Sequence, residues 1–197
     1  AFGELISTTI ISAYLNYAGV ANRWIDMRRC FLTEQRHKDA GVDLEASEPL
    51  LKNALAEVLG DYDFILLDCP PTLTLLTLNG LVAAEGVLVP MVCEYYALEG
   101  ISDLVATVRK IRQAINPRLD IIGIVRTLYN SQSRLSQEVS EQLQSHFGRQ
   151  LFTTTIPRNV RLAEAPSHGL PALAYDAKAK GTLAYLALAD ELLARMA

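Results

Sequence analysis

The feature that most constrains this chain is the recurrence of unbroken apolar runs of strand length, separated by segments with helical periodicity. Phe64–Cys69 (FILLDC), Gly86–Val92 (GVLVPMV), Ile121–Tyr129 (IIGIVRTLY) and Leu151–Pro157 (LFTTTIP) have the length of strands, and at least the first two are apolar on both faces. An alternating strand keeps one face wet. An unbroken apolar strand needs cover on both faces, as in a parallel sheet flanked by helices.

The intervening segments supply that cover. Within Ala97–Asn116, Ile101, Leu104, Val105, Val108, Ile111 and Ile115 form one stripe, while Arg109, Lys110 and Arg112 point elsewhere. Ser133–Gly148 repeats the pattern with Leu135, Val139, Leu143 and Phe147, and Gly148 supplies the stop. A last amphipathic helix spans Thr182–Met196. Strands and helices alternating at these lengths predict a doubly wound, mainly parallel α/β sheet flanked by helices, with right-handed crossovers. With 197 residues, half of them hydrophobic, the chain has enough material for one compact domain over residues 1–197.

Residues 1–49 read less regularly. Ser7–Ala18 predicts a helix capped by Ser7 or a neighbouring Thr, Arg23–Asp26 a short strand, and residues 27–50 polar surface loops and a turn. Leu50–Gly60 predicts a helix feeding the strand that begins at Tyr62.

The net charge of −4 argues against a globally basic nucleic-acid binder but leaves room for a local basic face. Cys30, Cys69 and Cys93 are odd in number and lack metal-ligand spacing, which disfavours a disulfide framework or zinc site and suits a reducing cytoplasm. Cys69 and Cys93 read as small core hydrophobes, and His146 and His168 as structural residues. Tyr95 and Tyr96 read as packing or interface residues. No apolar run approaches the ~18 residues of a membrane span, and no secretory leader opens the chain, so a soluble, unexported protein is expected.

One acid stands out. Ligands of open α/β sheets bind at the carboxyl ends of the strands, where Asp68 is expected. A carboxylate there can hold magnesium through water, with Pro70 and Pro71 turning the chain away. It can equally cap a helix beginning near Thr72.

Several long stretches carry a family resemblance: YDFILLDCPP (62–71), LLTLNGLVAAEGVLVPMVCEYYALEGI (75–101), LSQEVSEQLQSHFG (135–148) and the segment from TTIPRNVRLAEAPSHG (154–169) to the last helix. Together, over residues 50–197, the chain resembles the ParA/Soj chromosome and plasmid partition proteins, MinD-related deviant Walker P-loop NTPases. The resemblance implies an ATPase that uses ATP and Mg2+, forms a homodimer around two nucleotides and binds DNA without sequence preference. It also implies stimulation by a ParB-like partner, and a cytoplasmic, nucleoid-associated location.

Carried over by position, Asp68 resembles the Walker B aspartate, and Asp26, in WIDMR, an acid of the next motif. Asn130 and Pro157, Arg158 and Asn159 of IPRN resemble residues beside the adenine. Glu94–Gly100 is similar to a stretch near the dimer interface. Arg161 matches a basic position used against DNA phosphate; Arg134 stands about two residues from a second such position, which Gln132 occupies. Arg134, Arg158 and Arg161 would each add salt-dependent, sequence-independent affinity if the fold gathers them.

The start of the chain departs from the family's K-G-G-V-G-K-T-T-T loop. If Gly3 matches a loop glycine, Ser7, Thr8 and Thr9 fall on the hydroxyl positions, with Ser7 on magnesium. Leu5 then replaces a glycine and Ile6 the lysine that neutralises charge on the transferred phosphoryl group. Arg28 stands where an acid assists hydrolysis. Such a start fits a truncated or frame-disturbed segment, or a non-catalytic binding paralogue that has lost hydrolysis. A MinD-like membrane-associated role is disfavoured, because the last helix carries few basic residues for an anionic bilayer.

Overall fold

The computed structural model describes residues 9, 12–13, 16–17, 19, 21–26, 32–33, 42–43, 50, 53–54, 56, 60–70, 72–95 and 97–196. The chain divides into two compact units, Ala1–Leu78 and Asn79–Ala197.

In the first unit, the described residues 9, 12–13 and 16–17 are helical, as are 50, 53–54 and 56, in line with the two helices expected there. Strands β1 (Leu32–Thr33) and β2 (Val42–Asp43) pair antiparallel, Leu32 opposite Asp43 and Thr33 opposite Val42, inside a segment expected to be irregular. Arg23–Asp26 is not a strand.

The apolar run at Phe64–Cys69 is not a strand either: Tyr62 makes an isolated bridge, and the chain from Phe64 to Pro70 has no regular structure. Phe64, Ile65 and Leu66 are 46%, 38% and 87% exposed. A strand is stabilised by the ladder beside it as much as by its own side chains, and β1 and β2 pair with each other. Cys69 is exposed for the same reason, not buried as its apolar neighbours suggest. The helix that follows, α1 (Leu75–Ala83), starts later than Thr72, so Asp68 lies too far upstream to cap it. Thr77 fastens its first turn, its hydroxyl donating to the Thr72 carbonyl at 2.7 Å.

The second unit carries the parallel sheet. Strands β3 (Gly86–Val92), β4 (Asp120–Tyr129) and β5 (Leu151–Pro157) lie in the order β3-β4-β5 with both pairs parallel. Helix α2 (Ala97–Ala114) connects β3 to β4, and α3 (Arg134–Phe147) connects β4 to β5. Pro90 lies within β3, and an edge strand tolerates a residue without an N–H. Val89 and Met91 are buried while Leu88 and Pro90 are exposed, so β3 is covered on one face only, against the two-faced burial its composition predicts.

The helical stripes hold with two exceptions. Ile101, Val108 and Ile111 of α2 and Val139 and Leu143 of α3 are buried, whereas Ile115 lies beyond α2 and is 63% exposed, and Leu135, in the first turn of α3, is 45% exposed. Ser133 caps α3 by accepting from the Ser136 N–H, and Gly148 ends it at φ +46°. That left-handed backbone is why glycine stands there. Beyond β5 come three α-helices, α4 (Val160–Glu164), α5 (Ala172–Tyr175) and α6 (Lys180–Met196), with a 3-10 turn at Ala165–His168 after the first.

The core closes around β5. Phe152, Val125, Ile156 and Leu188 are buried together, with Leu162, Ala184 and Leu192 packed on them. Gly123 leaves room for the Phe152 ring, which a methyl group at that position would strike.

β5 is an edge strand with an irregular register, and its polar groups are satisfied by α6 and β4. The Glu191 carboxylate accepts the successive N–H groups of Thr153 and Thr154, each at 2.8 Å. Arg195 lies over the Phe152 ring at 3.8 Å, donates to the Leu151 carbonyl at 2.8 Å and pairs with Glu191 at 2.9 Å. From β4, Arg126 donates to the carbonyls of Phe152 (2.8 Å) and Thr153 (3.1 Å) and to the Ser140 hydroxyl (2.7 Å).

Burial alone would raise the Glu191 carboxyl; the backbone donors of Thr153 and Thr154, the Thr154 side chain and Arg195 outweigh it and hold it at about 2. A carboxylate depressed in the folded state contributes stability above its unfolded pKa, near 4.3, and loses it as pH falls toward 2. Glu191→Gln is therefore expected to lower the denaturation midpoint at pH 7, with the gap to the parent closing between about pH 4.5 and pH 2. Phe152→Ala, which empties a fully buried site, is expected to cost about 3–5 kcal/mol in chemical denaturation.

Candidate functional site

At the carboxyl end of the parallel sheet the second unit holds a cavity of about 530 Å³. Its apolar wall is Pro90, Leu128, Ile156, Leu162 and Ala163; Thr127, Arg158, Asn159 and Tyr185 supply the polar groups. The carboxyl ends of parallel strands are where ligands of open α/β sheets bind, and this cleft combines an apolar wall with a few polar groups there.

Local chemistry builds the wall. Leu128 has φ +50°, a left-handed conformation costly for a branched side chain, at the end of β4 where the cavity opens. The Arg158 N–H donates to the Tyr129 carbonyl at 3.3 Å, which fixes the start of the loop after β5. The Asn159 side-chain oxygen accepts the N–H groups of Arg161 (2.9 Å) and Leu162 (3.4 Å), capping α4 and turning Leu162 and Ala163 into the wall.

Of the residues expected beside a nucleotide base, Arg158 and Asn159 line the cavity, and Pro157 joins them to β5. Asn130 is placed differently. Its side chain accepts the Gln132 N–H at 3.0 Å, and its carbonyl the Ser133 N–H at 3.1 Å, closing the turn into α3. Arg158 is exposed and, among the described residues, has no carboxylate partner within ion-pair distance.

Gly3, Ser7 and Thr8 lie outside the described residues, as do Leu5, Ile6 and Arg28. Thr9 is helical and exposed. Asp26 is half-buried in a stretch without regular structure. Asp68 is exposed at the end of the irregular Phe64–Pro70 stretch, open to solvent rather than sealed in a core.

The two arginines expected on DNA are both paired. Arg134, 92% exposed, meets Glu138 one helical turn on at 2.9 Å. Arg161 meets Glu164 at 3.0 Å and Asp176 at 3.6 Å, and the Tyr175 hydroxyl donates to the same Glu164 carboxylate at 3.1 Å. The bond to Glu164, followed by the nearby Tyr175, pushes the Arg161 pKa up. His168 stacks on Tyr175 with ring centroids 4.9 Å apart, and His146 bonds the Gln142 carbonyl at 2.8 Å, both structural roles as expected. Cys93 is buried as expected; burial pushes its thiol pKa up and Arg126 partly opposes that. Tyr95 is 73% exposed, which does not suit a packing role within the chain. Among the described residues no His, Cys, Asp and Glu group is arranged to hold a metal by itself, and no helix is long and apolar enough to cross a membrane.

Tyr185, Leu128 and Leu162 were not anticipated as site residues. Each sits in a pattern that reads as ordinary helix or strand, and only the positive φ of Leu128 marks its position.

The chain matches the family model of an AAA domain over residues 33–121. It is 51% identical over 154 residues to a Treponema pallidum protein named chromosome-partitioning ATPase Soj, covering 78% of this chain and 61% of that protein. A Bacillus subtilis protein named sporulation initiation inhibitor protein Soj is 44% identical over 160 residues, covering 79% of this chain and 63% of its own length. The chain thus spans about three fifths of the curated relatives it matches. Among solved structures, cobyrinic acid a,c-diamide synthase from Mycobacterium smegmatis, with bound ATP analog and magnesium, superposes with a TM-score of 0.60 at 30% identity. That match covers 92% of this chain and 71% of the other. The parallel sheet with its flanking helices and these likenesses agree: over most of its length the chain is similar to the chromosome-partitioning ATPases named Soj and ParA.

Proposed function

We propose that this chain is a ParA-like partition protein that holds ATP with magnesium, pairs as a homodimer, binds DNA without sequence preference and answers to a ParB-like partner on the nucleoid, in the cytoplasm. The observation that carries the reading is the 51% identity to the protein named chromosome-partitioning ATPase Soj. The cavity supports it, because its volume and apolar walls suit a nucleobase, with Arg158 and Asn159 at its rim. Magnesium, when bound, neutralises charge on the phosphates. Asp68, exposed and acidic, is assigned to magnesium and the attacking water, the hydroxyls of Ser7, Thr8 and Thr9 to magnesium, and Asp26 to catalysis beside Asp68. Pro157, Arg158 and Asn159 grip the base, and Asn130 holds the turn behind them. Arg134 and Arg161 are assigned to DNA phosphate.

A second reading is favoured by Leu5, Ile6 and Arg28: a binding and assembly paralogue that keeps the fold and has lost hydrolysis. An amine in place of Ile6 would restore the charge that the phosphoryl-transfer loop requires. Titration with ATP and magnesium, run beside an Ile6→Lys variant, separates the two. Magnesium-dependent binding and turnover by the parent support the ATPase. Binding without turnover, with turnover gained on Ile6→Lys, supports the paralogue. No nucleotide binding by either folded chain removes the cavity's assignment.

A further inference from the structure

We infer that Glu164 and Asp176 form a carboxylate latch on Arg161, which keeps this arginine off the phosphate backbone until the latch is released. The inference deepens the DNA-binding reading above and rests on it. Arg161 is the basic residue of α4, and two acids from different parts of the chain converge on it. Glu164, one helical turn on, meets its guanidinium at 3.0 Å; Asp176, just after α5, meets it at 3.6 Å.

The acids are better anchored than the arginine. The Asp176 carboxylate also accepts the Lys178 N–H at 3.1 Å, and its carbonyl accepts the Thr182 hydroxyl at 2.8 Å. Glu164 is held by the Tyr175 hydroxyl, whose ring stacks on His168. Arg161, by contrast, is 55% exposed, and its side chain is held by these two ion pairs. Exposed ion pairs are weak and exchange readily, so a phosphate diester competes with the latch on near-equal terms. The same two acids repel an approaching polyanion while the latch is shut. α4 also carries Leu162 and Ala163 in the cavity wall, so the latch and the cavity share one short helix.

The test is retention of a random-sequence DNA duplex over a series of salt concentrations, for the parent, Arg161→Ala, Glu164→Gln with Asp176→Asn, and all three substitutions combined. Gln and Asn keep the acceptors for Tyr175, Lys178 and Thr182, and a thermal melt confirms that each variant is folded. Opening the latch is expected to tighten retention about threefold or more at low salt. It should also steepen the logarithmic salt slope by about one, the signature of one more neutralised phosphate. Arg161→Ala in the open background should abolish both gains. Unchanged retention on opening the latch overturns the inference, as does a gain that survives loss of Arg161, which would mark simple removal of negative charge. If the folded parent and every variant fail to hold DNA, the DNA reading itself falls, and the latch with it.

Discussion

Residues 79–197 depend on how one irregular edge strand satisfies its backbone. A regular β5 would present an unpaired row of N–H and C=O groups, a liability in water and a template for association. Its irregular register instead turns the N–H groups of Thr153 and Thr154 toward a single carboxylate, Glu191, while Arg195 and Arg126 collect its carbonyls from α6 and β4. Because the three charged groups bracket the strand, Phe152 is fixed beneath Arg195, and the chain leaves β5 at Ile156 in one direction. The Pro157–Asn159 loop, the cap on α4 and the cavity wall all follow from that exit.

The sheet and its helices were legible wherever one periodicity dominated. β3 and β5 fall where the apolar runs stand, and α2, α3 and α6 where the stripes recur, since burial of those stripes is the main source of their stability. Phe64–Cys69 misled because apolar content does not encode a neighbour, and without a ladder beside it the run is irregular chain. Leu135 and Ile115 misled in a smaller way, since a periodic stripe in the sequence runs on to the first turn of α3 and past the end of α2, where these side chains are exposed.

The site was legible as a loop but not as a volume. The IPRN segment marked Arg158 and Asn159, while the opposite wall comes from Tyr185 on a helix that reads as plain amphipathic and from Leu128 at the end of a strand. Sequence spacing carries no record of such a meeting. Nor does it show that an arginine matched to a DNA-contacting position already has two carboxylates on it. That pairing links α4 to the segment before α6 in the free chain.

A nucleotide-bound state of the proposed kind requires the cavity between the ends of β4 and β5 and helix α4 to receive the base. Amide hydrogen exchange, measured with and without ATP and magnesium, reads it at the residues concerned. Slower exchange at Thr127, Leu128 and Arg158–Ala163 on adding nucleotide is the predicted result. Exchange at those amides that stays the same while nucleotide binds elsewhere on the chain would contradict it.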